Sequence, residues 1–145
     1  MKFRLEIVSP ERLVYSDDID SVTIPTVQGE ITILARHMPV VSIINPGEIK
    51  IKKNREIHYL AVVGGFVQIT GQKVTILADA AERAEEIDIA RAEKARERAK
   101  KLIEEKRFDK TTHAEAMAAL QRALIRIKIG RRRGSHFDRE SPPPG

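Results

Sequence analysis

Residues 81–99, AERAEEIDIARAEKARERA, are where this chain changes character. Up to Ala80 it consists of short apolar runs with turn residues between them, and from Ala81 it consists mainly of alanine and charge. Ala92, Ala95, Ala99, Leu102 and Ile103 recur at steps of three and four, and Met117, Leu120, Leu124 and Ile127 do the same further on, so each segment predicts an amphipathic helix. Thr112-His113-Ala114-Glu115 fits the S/T-x-x-E capping box and places the start of the second helix there, with a loop over Phe108 to Thr111. So short a connection makes the helices antiparallel neighbours, with the alanines of the first leaving room for the larger side chains of the second. Alanine buries little area at about 25 cal/mol per Å², so the hairpin is expected to be held only marginally to itself or to the rest of the protein.

The part before residue 81 has the other period. Phe3, Leu5 and Ile7 alternate with Lys2, Arg4 and Glu6, the pattern of a strand with one face buried. Further runs at Ile19 to Ile24, Glu30 to Leu34, Gly47 to Lys52, Ile57 to Val63, Phe66 to Thr70 and Val74 to Leu77 are separated by turn signals such as Asn45-Pro46-Gly47 and Gly71-Gln72. Many short strands at close spacing, with no helical period between them, predict an antiparallel β-sandwich that ends near Asp79. The expected organisation is therefore a β-sandwich over residues 1–80, a two-helix hairpin over 81–129, and a disordered basic, proline-rich tail over 130–145.

The net charge of +5 lies entirely in the second part, since residues 1–79 hold nine basic and nine acidic side chains. The surplus is steepest from Gln121 onward, where an exposed basic end favours phosphates or an acidic protein surface. The chain has no cysteine, which excludes disulfides, thiolate nucleophiles and zinc-thiolate sites. The N-terminus lacks the continuous apolar core of a signal peptide, and no stretch approaches the roughly 20 apolar residues of a spanning helix, so a location in the cytoplasm or on its side of a membrane is expected. Nucleotide-loop, zinc-protease and serine-hydrolase motifs are all missing, and His37, His58, His113 and His136 are scattered, so no active site and no metal are expected. Gly64-Gly65, with strand on both sides, reads as a β-bulge or tight corner rather than a phosphate loop. His37, in the loop Ala35-Arg36-His37-Met38-Pro39, is a candidate interface residue, because loops on a rigid scaffold often carry contacts.

Five stretches in order, VSPERLVY, GEITILARHMPVV, LAVVGGFVQIT, KVTILADAAERAEEID and RAEKARERAKKL, resemble the epsilon subunit of bacterial F-type ATP synthase from about Phe3 to Lys128. In that family the loop written ILARHMP here more usually has Pro-Gly before the histidine, and this chain has Ala35-Arg36 instead. The resemblance implies a non-catalytic rotor-stalk subunit on the cytoplasmic face of the cell membrane. It implies a sandwich that binds the gamma subunit and the c-subunit ring, and a hairpin that restrains ATP hydrolysis through contacts with the alpha and beta subunits.

Arg91 and Arg98 are seven apart and share a helix face, with Asp88 beside Arg91, and Arg122 and Arg126 share a face of the second helix. Folding the hairpin is expected to bring these four guanidinium groups toward one site suited to a polyphosphate, with Asp88 and Glu82 as acceptors for a base amine or ribose hydroxyls. The resemblance implies the same ligand: some epsilon subunits bind ATP through I-D-x-x-R-A and arginines of both helices. The matching positions are Glu82, Ile87, Asp88, Arg91, Ala92, Arg98, Arg122 and Arg126. The opened hairpin is expected to offer Arg122, Arg126 and Lys128 to an acidic surface of the catalytic subunits. A plainer account stays open, with Asp88 and Arg91 as an ordinary i,i+3 ion pair and the late basic residues complementing the helix dipole. So does a competing class, a basic hairpin that binds nucleic acid through phosphate contacts, although the second part has only Phe108 and Phe137 to stack on bases.

Overall fold

A computed structural model describes residues 1–132, so the expectation of a disordered segment at 133–145 falls outside the described residues. Eight strands come first: β1 (Phe3–Val8), β2 (Leu13–Ile19), β3 (Ser21–Thr26), β4 (Gly29–Leu34), β5 (Val40–Ile44), β6 (Gly47–Lys53), β7 (Glu56–Thr70) and β8 (Lys73–Arg83). They are joined in the order β2-β1-β8-β7-β5-β3-β4, with β6 pairing both β3 and β7. Every pairing is antiparallel except that of β1 with β8, which is parallel.

The sheet folds into a sandwich because its central ribbon bends. β5 and β6 run end to end along β7, Val40–Ile44 against residues 65–69 and Gly47–Lys53 against residues 56–62. Pro46, which has no N–H for a ladder bond, interrupts them. Opposite that break, the register of β7 against β8 shifts at Val62, Gly64 and Gly65. The bend requires glycine: Gly65 has φ +138°, and a β-carbon there would lie 2.1 Å from the Leu77 carbonyl oxygen. The double glycine is thus a bulge, as its setting between two strand patterns predicts.

The inward phases of these strands form one core. Phe3, Leu5, Ile7, Ile19, Val22, Ile24, Ile33, Ile49, Ile51, Leu60, Val62, Val67, Ile69, Val74 and Ile76 are all buried in it. Two strands lacked a sequence signal. β2 buries only Val14, Tyr15 and Ile19 of seven residues, and β5 is apolar in both phases. Ile57 to Val63 and Phe66 to Thr70, which read as two strands, are one strand across the bulge. The sandwich also outlasts Asp79. β8 continues to Arg83, paired with Leu60, and Arg83 donates from Nε to the Val14 carbonyl at 3.0 Å while its guanidinium lies over the Tyr15 ring.

A single 3-10 turn, Ala84–Glu86, leads into α1 (Ile89–Glu105) and α2 (Lys110–Arg132). Two boundaries differ from expectation. The N-cap of α2 is Asp109, whose carboxylate accepts from the Thr112 backbone N–H at 3.3 Å and from the Thr112 hydroxyl at 3.1 Å, so Thr112 lies inside the first turn. The helix also runs through Gly130 to Arg132, residues assigned by sequence to the tail. The buried residues of α1 are both alanines, Ala92 and Ala99, and α2 buries Ala116 and Ala123, whereas Met117 and Leu124 stay half exposed. The base of the hairpin is held elsewhere, in a second apolar cluster of Ile57, Tyr59, Ala61, Ala84, Ile87 and Ile129, with Ile89 and Ile125 against it.

Candidate functional site

The order I-D-x-x-R-A has a structural explanation. Ile87 is 1% exposed and plugs the second cluster, fixing the start of the hairpin to the sandwich. Asp88 is the N-cap of α1, and its carboxylate accepts from the Arg91 backbone N–H at 3.1 Å rather than pairing with the guanidinium. Ala92 is fully buried in the seam. Arg91 is exposed and has no ion-pair partner among the described residues.

A cavity of about 440 Å³ lies between the sandwich and the hairpin. Its sandwich wall is formed by β7 and β8, including Val62, Ala81 and Glu82, and its hairpin wall mainly by Arg122, Ala123 and Arg126 of α2, with Ala95 from α1. The structure therefore brings together Glu82, Arg122 and Arg126 of the residues selected by sequence, while Arg91 and Arg98 do not line this cavity and lie exposed on α1. Across it Arg126 grips Glu82 with two nitrogens, Nε on one carboxylate oxygen and Nη2 on the other at 3.4 Å. Arg122 carries no such partner among the described residues. Glu11 and Arg12, on the turn between β1 and β2, also line the cavity; their positions in the chain gave no sign of it. Arg12 pairs with Glu86 at 3.0 Å. Burial works against the ionised form of Glu86, but the Arg12 guanidinium and the Arg83 backbone N–H outweigh it and hold the carboxyl below its ordinary pKa.

Three arginines near the end of α2 are paired within the chain. Arg126 lies on Glu82 of β8, Arg131 reaches Glu93 of α1 at 3.2 Å, and Arg132 pairs with Glu48 of β6 with its guanidinium 4.8 Å from the centre of the Tyr59 ring. Lys128 is exposed with no ion-pair partner among the described residues.

The sandwich has a second surface, which periodicity did not reveal. Ile43, Phe66 and Leu77 sit in register on adjacent strands, each about half exposed, and Val41 extends the row at 71% exposure. Such a contiguous apolar row is a mark of an interface. The available signal was that both phases of VVSII in β5 are largely apolar. In the nearby loop Arg36 takes a left-handed conformation at φ 64°, the kind of position that glycine fills without strain. His37 follows, with Nδ1 2.9 Å from the Met38 carbonyl oxygen. Among the described residues no group of three or more histidines or carboxylates is placed to hold a metal, and no helix is long and apolar enough to cross a membrane.

The division into sandwich and hairpin coincides with two family models: the beta-sandwich domain of the ATP synthase delta/epsilon chain matches residues 2–84, and its long alpha-helix domain matches residues 85–130. The chain belongs to the ATP synthase delta/epsilon chain family. It is 42% identical over 135 residues to the ATP synthase epsilon chain of Dehalococcoides mccartyi, covering 93% of this chain and 96% of that one. It is 45% identical over 125 residues to the epsilon chain of Nitratidesulfovibrio vulgaris, covering 86% and 92%. Among solved structures, a chain of the Euglena gracilis mitochondrial ATP synthase, in an OSCP/F1/c-ring assembly, superposes with a TM-score of 0.72 at 24% identity, covering 83% of this chain and 76% of that one, which supports the fold. The delta/epsilon family supplies a non-catalytic subunit of ATP synthase, in accord with the missing catalytic motifs.

Proposed function

We propose that this epsilon-type subunit is an ATP-sensitive brake of the central stalk, whose hairpin rests on the sandwich when ATP fills the cleft and leaves it to restrain ATP hydrolysis when ATP falls. The observation that carries the reading is the cleft itself. About 440 Å³ lies within the usual range of small-molecule sites, and its two walls belong to the sandwich and to the hairpin. A ligand held by both walls stabilises the docked hairpin by its difference in affinity for the two states. Arg122 is available to a phosphate, and Arg126 has Glu82 to exchange for one. Arg91 and Arg98 belong to the nucleotide residues by family resemblance, and engage only if α1 shifts or the ligand extends beyond the cavity.

Opening releases Arg126 and Arg132 from Glu82 and Glu48 of the sandwich, and with Arg122 and Lys128 these form a basic helix in need of acidic partners. The catalytic alpha and beta subunits are the proposed source of that surface. The apolar row of Val41, Ile43, Phe66 and Leu77 is the proposed seat of the gamma subunit, and the His37 loop that of the c-subunit ring, which places the protein at the cytoplasmic face of a membrane through its partners. Calorimetric titration of ATP into the full chain tests the ligand. Binding that Arg126→Ala weakens by about ten- to hundredfold is expected for loss of a charge-assisted contact; no heat at millimolar nucleotide would remove ATP from the account.

A further inference from the structure

We propose that Arg12 is a phosphate-binding residue of the cleft, through which the sandwich itself grips a nucleoside triphosphate. This rests on reading the cleft as an ATP site. Arg122 and Arg126 both stand on α2, and the carboxylates lining the same cavity are Glu11 and Glu82. Arg12 sets a third guanidinium against those two carboxylates, and it is the one cation among the lining residues contributed by the sandwich.

The position is prepared for that role. The Ser9 backbone N–H donates to the Arg12 carbonyl at 2.9 Å and the Ser9 hydroxyl donates to it at 3.3 Å, so the root of the side chain is fixed by a tight turn. Its tip is not. Arg12 is held through Nη1 to Glu86 at 3.0 Å with both side chains more than a third exposed, and such exposed pairs contribute little to stability. Trading Glu86 for a phosphate oxygen therefore costs little, and the planar guanidinium offers further N–H donors to it. Arg12 places ATP between the sandwich and α2, so the nucleotide fastens the hairpin to the sandwich as well as helix to helix.

Calorimetric titration of ATP into the full chain, the Arg12→Gln chain and the Glu86→Gln chain separates the roles. Arg12→Gln is expected to bind ATP about tenfold or more weakly than the parent, whereas Glu86→Gln, which breaks the same ion pair but keeps the guanidinium, is expected to bind at least as tightly as the parent. Equal losses in the two variants would mean that the ion pair matters and not a phosphate contact, and would overturn the proposal. So would an Arg12→Gln chain that binds like the parent, in which case the ATP site itself would stand. A parent chain silent toward ATP would overturn the ATP site and the role of Arg12 together.

Discussion

Gly130 lies against Ile87 so closely that a β-carbon on it would sit 3.0 Å from the Ile87 Cγ2 atom, and 2.9 Å from Cγ1 of Ile89. The last turn of α2 thus clamps the residue that begins the I-D-x-x-R-A motif. Gly130→Ala gains about 1 kcal/mol of helix propensity but overpacks this contact at a cost of about 1–3 kcal/mol, so the contact decides the sign. Amide hydrogen exchange should quicken across residues 89–132 and stay unchanged in β7 and β8. Unaltered protection in the helices would mean that the clamp does not hold the hairpin.

Arg132 and Arg131 should behave differently although they are neighbours. Arg132→Ala strips a partner from Glu48, whose side chain is only 22% exposed, and removes the cation from the Tyr59 ring, a loss of about 1–2 kcal/mol in hairpin docking. Arg131→Ala breaks an exposed pair with Glu93 and should cost less than about 0.5 kcal/mol. Limited proteolysis near residues 84–90 should accelerate in the first variant only.

The N-terminus of α2 is expected to be acid-sensitive. Hydrogen bonds from the Thr112 backbone and hydroxyl hold the Asp109 carboxyl below its ordinary pKa of 3.8. A group whose pKa is lowered by folding contributes stability that is complete above its ordinary pKa and is lost as pH falls through the folded value. Far-ultraviolet circular dichroism should therefore show helix loss as pH drops below about 4, with a weaker dependence in Asp109→Asn, which keeps a capping oxygen that does not titrate.

The apolar row on the sandwich can be tested by charge. Phe66→Lys and Ile43→Lys alter half-exposed positions and should leave the melting temperature within a few degrees, since surface changes are usually within about 0.5 kcal/mol. Each should abolish co-purification with the gamma subunit. Retention of gamma by both variants would move that interface elsewhere.

How much was legible in the chain follows from where period and burial agree. Phe3, Leu5 and Ile7 alternate and are buried in alternation, and the helical steps of α1 lead to Ala92 and Ala99 in the seam. Leu13–Ile19 carries two aspartates in series, and its burial follows from cross-strand pairing with β1 rather than from its own pattern. Met117 and Leu124 misled because large apolar side chains read as core, yet they stay about half exposed while Ala116 and Ala123 of the same helix are buried. Gly130 falls in the expected tail because the stretch after it has no apolar period, and nothing local announces that Ile87 lies beneath it. Within the site, Arg122 and Arg126 were reached through helix spacing, with Glu82 as an acceptor, and through family positions, whereas Arg12 joins them only through the fold of a distant turn.

The hydrolysis rate of the assembled ATP synthase, measured over a range of ATP concentrations with either the full chain or a chain ending at Glu86, tests the central claim most directly. The shortened chain keeps all of β8 and the 3-10 turn, so the sandwich and its partner surfaces are retained. The account predicts faster hydrolysis with the shortened chain at low ATP, a difference that narrows as ATP rises, and deeper inhibition at intermediate ATP when Glu82→Ala removes the partner that holds Arg126 on the sandwich. Equal hydrolysis with both chains at every ATP concentration would contradict it.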